Sequence, residues 1–260
     1  MTLRTATLAS FALLPLLAGV AEAGPRAVVE LFTSQGCAAC PPADKLARQL
    51  DAETDDVIVL SMPVSIWDYL GWSDTLALPE LTERQRAYAV ARGDHDIYTP
   101  QAVINGRVDV TGSDREAILA AIDEDNADGP ALAVDVSVTR VGDVIRIAIG
   151  DAPRRIARKG AEVWLGIVEV AVSVPVKGGE NRGRKLAYHN VVRSLRPVGI
   201  WRGKELVLEI PIGSDMARTG TAAVVLLQSK RHNGPGPIIG AAMLEEIHAS
   251  RAVAMPGSAN

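Results

Sequence analysis

Residues 30–46 read ELFTSQGCAACPPADKL and hold both cysteines of the 260-residue chain, Cys37 and Cys40. Just upstream, residues 26–32 (RAVVELF) form a short apolar run with the character of a buried strand. Downstream, residues 41–50 (PPADKLARQL) read as a helix with Leu46 and Leu50 on one face. Its leading prolines fit a first turn, where amides have no intrahelical partner. The two cysteines therefore sit where a strand turns into a helix. A C-x-x-C pair in that place has the spacing of a redox dithiol. The thiolate is the reactive species, and the unpaired amides and dipole of a helix start favour it. On this reading Cys37 attacks a partner disulfide and Cys40 resolves the mixed disulfide. Gly36, Ala38 and Ala39 are small and leave Cys37 open to a partner's sulfur.

Metal-binding and structural roles for the pair make different chemical demands. Structural zinc takes four ligands, but there is no second C-x-x-C, and His95, His189, His232 and His248 are widely separated. A copper site built from Cys37, Cys40 and His95 remains an alternative, because thiolate and imidazole suit copper. A purely structural disulfide is disfavoured by magnitude: so short a loop yields only about 2 kcal/mol before strain. A third alternative is a non-catalytic binding module.

The net charge of −4 provides no basic block to balance phosphate, which argues against a nucleic-acid partner. At the N-terminus, Arg4, the apolar residues 8–20, and small residues at Ala21 and Ala23 form the pattern of a secretory signal peptide over residues 1–23. The apolar run is short for a membrane span and is interrupted by Pro15. The expectation is a periplasmic or secreted protein without a stable membrane span, in a compartment that permits disulfides.

Beyond the first helix, residues 55–64 (DDVIVLSMPV) read as a second strand. Residues 82–93 read as a helix starting at Thr82 or just before it and closed by Gly93. YTPQAVINGRVDVTG then holds two strands around a tight Asn105-Gly106 turn. A final helix is expected with Ser113 as N-cap and Glu116 completing a capping box. Alternating strands and helices of this kind suggest a compact α/β domain over residues 24–129. From Ala131 onward strand patterns stand almost alone, several strictly alternating, as at Val134, Val136 and Val138. They suggest an all-β sandwich domain over residues 130–260.

Four segments, VVELFTSQGCAACPPADKL, WDYLGWSD, TERQRAYA and YTPQAVINGR, together with the later GGENRGRKLAYHNVVR, resemble the domain of unknown function 1223 family. The resemblance covers nearly the whole chain after the leader. It implies a secreted bacterial protein with an α/β thioredoxin-like domain, and it names no substrate. From the thioredoxin superfamily it further implies that Pro100 is a cis-proline facing the cysteine pair, with Thr99 and Pro100 presenting backbone to a bound peptide or thiol. By the same resemblance Glu30 reads as the counterpart of the buried acid that accepts a proton, although its spacing to the first cysteine is one residue longer; the alternative is a strand-end carboxylate or a salt-bridge partner. The Ala-Ala dipeptide departs from ordinary thioredoxins and leaves no histidine inside the motif to stabilise the Cys37 thiolate. No cofactor is implied, because the electrons stay on sulfur, and the expected partners are protein or small-molecule thiols and disulfides. Trp67, Asp68, Tyr69 and Trp72 read either as a lip over the cysteines or as core cover between domains. Glu180, Asn181, Arg182, Arg184, His189 and Arg193 read either as an anion or partner site or as a charged hairpin along an interface.

Overall fold

β1 (Ala27–Thr33) is buried at all seven positions, and its parallel neighbour β2 (Val57–Pro63) pairs with it from Ala27↔Val57 to Thr33↔Pro63. The computed structural model describes residues 24–247 except 154, 155, 157–159, 215 and 246. The leader expected over residues 1–23 therefore lies outside the described residues. Between the two strands runs α1 (Cys40–Glu53), with proline in its first turn. A single 3-10 turn at Asp68–Leu70 follows, then α2 (Pro79–Arg92), β3 (Gln101–Ile104), β4 (Val108–Thr111) and α3 (Arg115–Asp125).

Local chemistry explains the element ends. α2 begins three residues before Thr82, because Pro79 fits a first helical turn and Leu78 before it is extended. It stops at Gly93, whose φ of 90° lies in the left-handed region that glycine adopts without cost. α3 is capped by Asp114 rather than Ser113, its carboxylate accepting from the Ala117 amide at 2.9 Å. β3 and β4 are joined by the three residues Asn105–Arg107, with Asn105 and Gly106 at positive φ and the Arg107 amide donating to the Ile104 carbonyl at 2.9 Å.

The second half contributes only strands: β5 (Val136–Val141), β6 (Val144–Ile149), β7 (Ala161–Pro175), β8 (Lys185–Trp201), β9 (Leu206–Pro211), β10 (Thr221–Arg231) and β11 (Gly234–Leu244). β5, β6 and β9 form a three-stranded antiparallel sheet. Its Val138, Ile145, Ile147 and Ile149 share a core with Val163, Leu165, Val225 and Leu227 of β7 and β10. The C-terminal strands thus lie in two facing layers. One of these layers continues into the first half of the chain, giving an eight-stranded mixed sheet in the order β11-β10-β7-β8-β2-β1-β3-β4.

The join between β2 and β8 is narrow, with one parallel pair, Ser61↔Val191. Side chains reinforce it. Ser61 Oγ donates to the His189 carbonyl at 2.7 Å, and Asn190 Nδ2 donates to the Val59 carbonyl and to Asp51 Oδ1 at 3.1 and 2.8 Å. His189 Nε2 lies 2.6 Å from Asp51 Oδ2. No strand pattern in either half marks this join, since it rests on side chains more than 120 residues apart.

α1 and α3 cover one face of the β1–β3 region, packing Leu46, Leu50, Ile118 and Ile122 on Val29, Leu31 and Ile104. On the other face, Val28, Phe32, Leu60 and Met62 share a core with Leu81 and Tyr88 of α2 and with Val224, Leu226 and Ile238 of β10 and β11. α2 is therefore enclosed between the two halves, which explains why its Arg84, Gln85 and Tyr88 are all buried. Among the described residues no helix is long and apolar enough to cross a membrane.

Candidate functional site

Cys37 and Cys40 are joined in a disulfide with their Cα atoms 5.4 Å apart. Cys40 opens α1 and Cys37 lies in the turn before it, held by its own amide bonding to the Ser34 carbonyl at 3.1 Å. Cys37 is 4% exposed and Cys40 is fully buried, whereas Ala38 and Ala39 between them face solvent. Gly36 is glycine for space, since a Cβ there would come within 2.9 Å of Trp67 Cβ.

The Thr99–Pro100 peptide bond is cis, and the Thr99 carbonyl oxygen lies 3.7 Å from Cys37 Sγ. In the disulfide the sulfur carries no proton, so this is a packing contact; in the dithiol the Cys37 thiol can donate to that oxygen. Trp67 Nε1 donates to Thr99 Oγ1 at 2.7 Å, tying the tryptophan segment to this loop. Tyr69, stacked obliquely on Trp67, projects into solvent with 74% of its surface exposed. Cys37, Thr99 and Pro100 are thus brought together from two distant parts of the chain.

Two further segments grip the cysteine turn. Trp72 Nε1 donates to Gln35 Oε1 at 2.8 Å, and Asp74 Oδ2 accepts from the Gln35 amide at 2.7 Å. From the β7–β8 connection, Asn181 is buried and donates from Nδ2 to the carbonyls of both Gln35 and Cys37, at 3.0 and 2.8 Å. Arg184 orients it by donating to Asn181 Oδ1. Glu180 Oε2 accepts from the Ala38 amide at 3.2 Å, in the turn just ahead of the N-cap of α1. The hairpin that reads as either a ligand site or an interface element therefore lies directly on the cysteine turn.

Two expected site residues are not brought to the pair. Glu30 lies on the opposite face of the sheet from α1, because strand side chains alternate and it shares parity with Val28 and Phe32. A carboxylate on this strand could reach α1 only from the parity of Val29 and Leu31. Instead, Glu30 Oε1 accepts from Arg84 Nε at 2.6 Å, and Oε2 accepts from Arg84 Nη2 and the Tyr88 hydroxyl at 3.2 and 2.5 Å. It is the anion of a buried ion pair, with Tyr88 further bonded by Gln228 Nε2. His95 is the second correction. It sits exposed in the loop after α2, and among the described residues no three His, Cys, Asp or Glu side chains are grouped to hold a metal ion. The copper set of Cys37, Cys40 and His95 is not assembled.

The sequence reading does not single out Asp44, a buried acid on α1. It lies one turn along α1 from Cys40, is 4% exposed, and accepts from Thr33 Oγ1 at 2.6 Å. Burial pushes its carboxyl up to about 7, the Thr33 bond opposing and the nearby Asp74 charge adding to the shift. Burial likewise raises Asp74, with three backbone amides holding it back. The i, i+4 spacing from Cys40 was the available signal, but an acid near a helix start reads equally well as an ordinary first-turn carboxylate.

The fold and site define a two-halved α/β and β protein with one cysteine pair at a strand–helix turn, clamped from the second half. The family described as Protein of unknown function (DUF1223) matches residues 28–228, and the chain belongs to it. It is similar to an Agrobacterium tumefaciens protein of known crystal structure, at 37% identity and a TM-score of 0.76, over 86% of this chain and 96% of that one. No curated protein matches the chain.

Proposed function

We propose that this protein is a thioredoxin-like thiol–disulfide oxidoreductase, exported after removal of a leader over residues 1–23 and working in the periplasm or outside the cell. The observation that carries the reading is the Cys37–Cys40 disulfide at a strand–helix turn, with the cis Thr99–Pro100 loop packed against Cys37 Sγ. In oxidative folding of a partner, a partner thiolate attacks the protein disulfide at Cys37, Cys40 leaves as the thiolate, and the mixed disulfide is then cleaved by a second partner thiol. In the reductive direction the Cys37 thiolate attacks a partner disulfide, and Cys40 attacks Cys37 Sγ to release the partner. Electrons stay on sulfur throughout, so no cofactor enters. Residues 24–129 carry the redox pair and the half from residue 130 supplies the Asn181 and Glu180 clamp.

The test is a redox titration of the purified protein in glutathione and dithiothreitol buffers with metal chelated, counting free thiols at each poise. A midpoint between about −120 and −270 mV is expected, the range of working oxidoreductases. A midpoint below about −300 mV, or thiols that never exchange, defines an inert disulfide and overturns the reading.

A further inference from the structure

Cys40 is fully buried, so its thiol has no bulk water beside it to take a proton. Yet attack by Cys40 on Cys37 Sγ requires the thiolate. One turn further along α1 the Asp44 side chain lies on the same helix face, and side chains so spaced have Cβ atoms about 5–6 Å apart. Thr33 Oγ1 donates to Asp44 Oδ1, while Asp44 Oδ2 is buried and has no hydrogen-bond partner. The groups facing this carboxyl from packed elements are Thr33 of β1, Asp74 of the segment before α2, and Tyr188 of β8. The Tyr188 hydroxyl is also buried without a partner. No cation is among these groups: Arg84 is committed to Glu30 on the opposite sheet face, and the second acid of the cluster, Asp74, is held by the amides of Gln35, Leu76 and Ala77. A carboxyl so placed has an open acceptor oxygen and nothing nearby that holds it permanently charged.

We infer that Asp44 is the internal proton acceptor for Cys40, the role that the resemblance would give to Glu30. This rests on the redox reading of the cysteine pair. When Cys40 resolves a mixed disulfide, its Sγ–H proton passes to the Asp44 carboxylate. The thiolate then attacks Cys37 Sγ, the Cys37–partner S–S bond breaks, and the partner leaves as a thiolate. In the reverse direction Asp44 returns the proton to the Cys40 thiolate as it leaves. The placement accounts for why a fully buried thiol can react at all.

The experiment uses the reduced, purified protein and an aromatic disulfide probe, 5,5′-dithiobis(2-nitrobenzoate). Attack by Cys37 releases one thionitrobenzoate, and closure by Cys40 releases the second. Asp44→Asn should leave the first release unchanged and slow the second at neutral pH by at least about a hundredfold, the low end of what a lost proton acceptor costs. The wild-type second phase should also depend on a group titrating near neutrality, and that dependence should vanish in the variant. A second measurement does not need the variant to fold well: carbon-13 NMR of the carboxyl groups in the wild type. Asp44 and Cys40 should titrate as a coupled pair in the dithiol form, and Asp44 should titrate as a single step in the disulfide form. A second release unaffected by Asp44→Asn, or identical Asp44 titrations in the two redox forms, overturns the assignment. The first readout needs only the reduced protein and the probe, and the second only the two redox forms, so both remain decisive even if the redox titration shows an inert physiological disulfide.

Discussion

Replacing Glu30 by glutamine tests whether the acid on β1 is structural or belongs to the chemistry. In the folded protein its two oxygens accept three hydrogen bonds, from Arg84 Nε, Arg84 Nη2 and the Tyr88 hydroxyl. Both ends of the ion pair are buried, the Arg84 side chain being 7% exposed and that of Glu30 fully covered. Glutamine is nearly isosteric but replaces one acceptor by an NH2 that faces donors, and it removes the charge that compensates a buried guanidinium. Arg84 retains its ring contacts, 5.0 Å from the Tyr88 centroid and 5.7 Å from that of Trp164, but these do not replace a carboxylate. Breaking one side of such a pair costs about 3–5 kcal/mol. For a chain of this size that corresponds to a fall of roughly 6–20 °C in Tm. The assay is urea unfolding followed by tryptophan fluorescence, with the midpoint moving and the slope unchanged. Pairing Glu30→Gln with Arg84→Met should recover most of the loss, because no buried charge is then left alone. The redox midpoint of Cys37 and Cys40 should not move in either variant. A loss below about 1 kcal/mol, or a shifted redox midpoint with unchanged stability, refutes the structural assignment of Glu30.

Two further outcomes follow from groups around the cysteine turn. Burial raises the Asp44 carboxyl from 3.8 to about 7, so the folded state binds that proton more tightly than the unfolded chain. The stability this gives is fully present below pH 4 and is lost as the pH rises through 7. Asp44→Asn should therefore match the wild type at pH 4 and exceed it at pH 8 by on the order of 4 kcal/mol; parallel stability curves across that range would refute the buried, protonatable state. Asn181→Ala removes the donors to the Gln35 and Cys37 carbonyls, costing about 2 kcal/mol and loosening the turn over the sulfurs. Dithiothreitol should then reduce the disulfide faster, measured by thiol release under limiting reductant; an unchanged rate would mean that the β7–β8 connection does not restrict access.

What could be read from the sequence was local. The strand, turn and helix around Cys37 and Cys40, the Asn105-Gly106 hairpin and the Gly93 stop follow from backbone preferences that act within a few residues. Even there, ends shifted: Asp114 displaced Ser113 as a cap, and Pro79 carried α2 past the expected start. Which face Glu30 occupies was not legible, because AVVELFT is buried on both sides and shows no alternation to set the parity. That parity, the pairing of Glu30 with an arginine 54 residues away, and the clamp from Asn181, 144 residues beyond Cys37, were decided by tertiary structure. So was the union of the two halves into one sheet through Ser61 and Val191. Strand periodicity reports which positions are buried; it does not report the partner, and a buried charge is stable only where the fold supplies one.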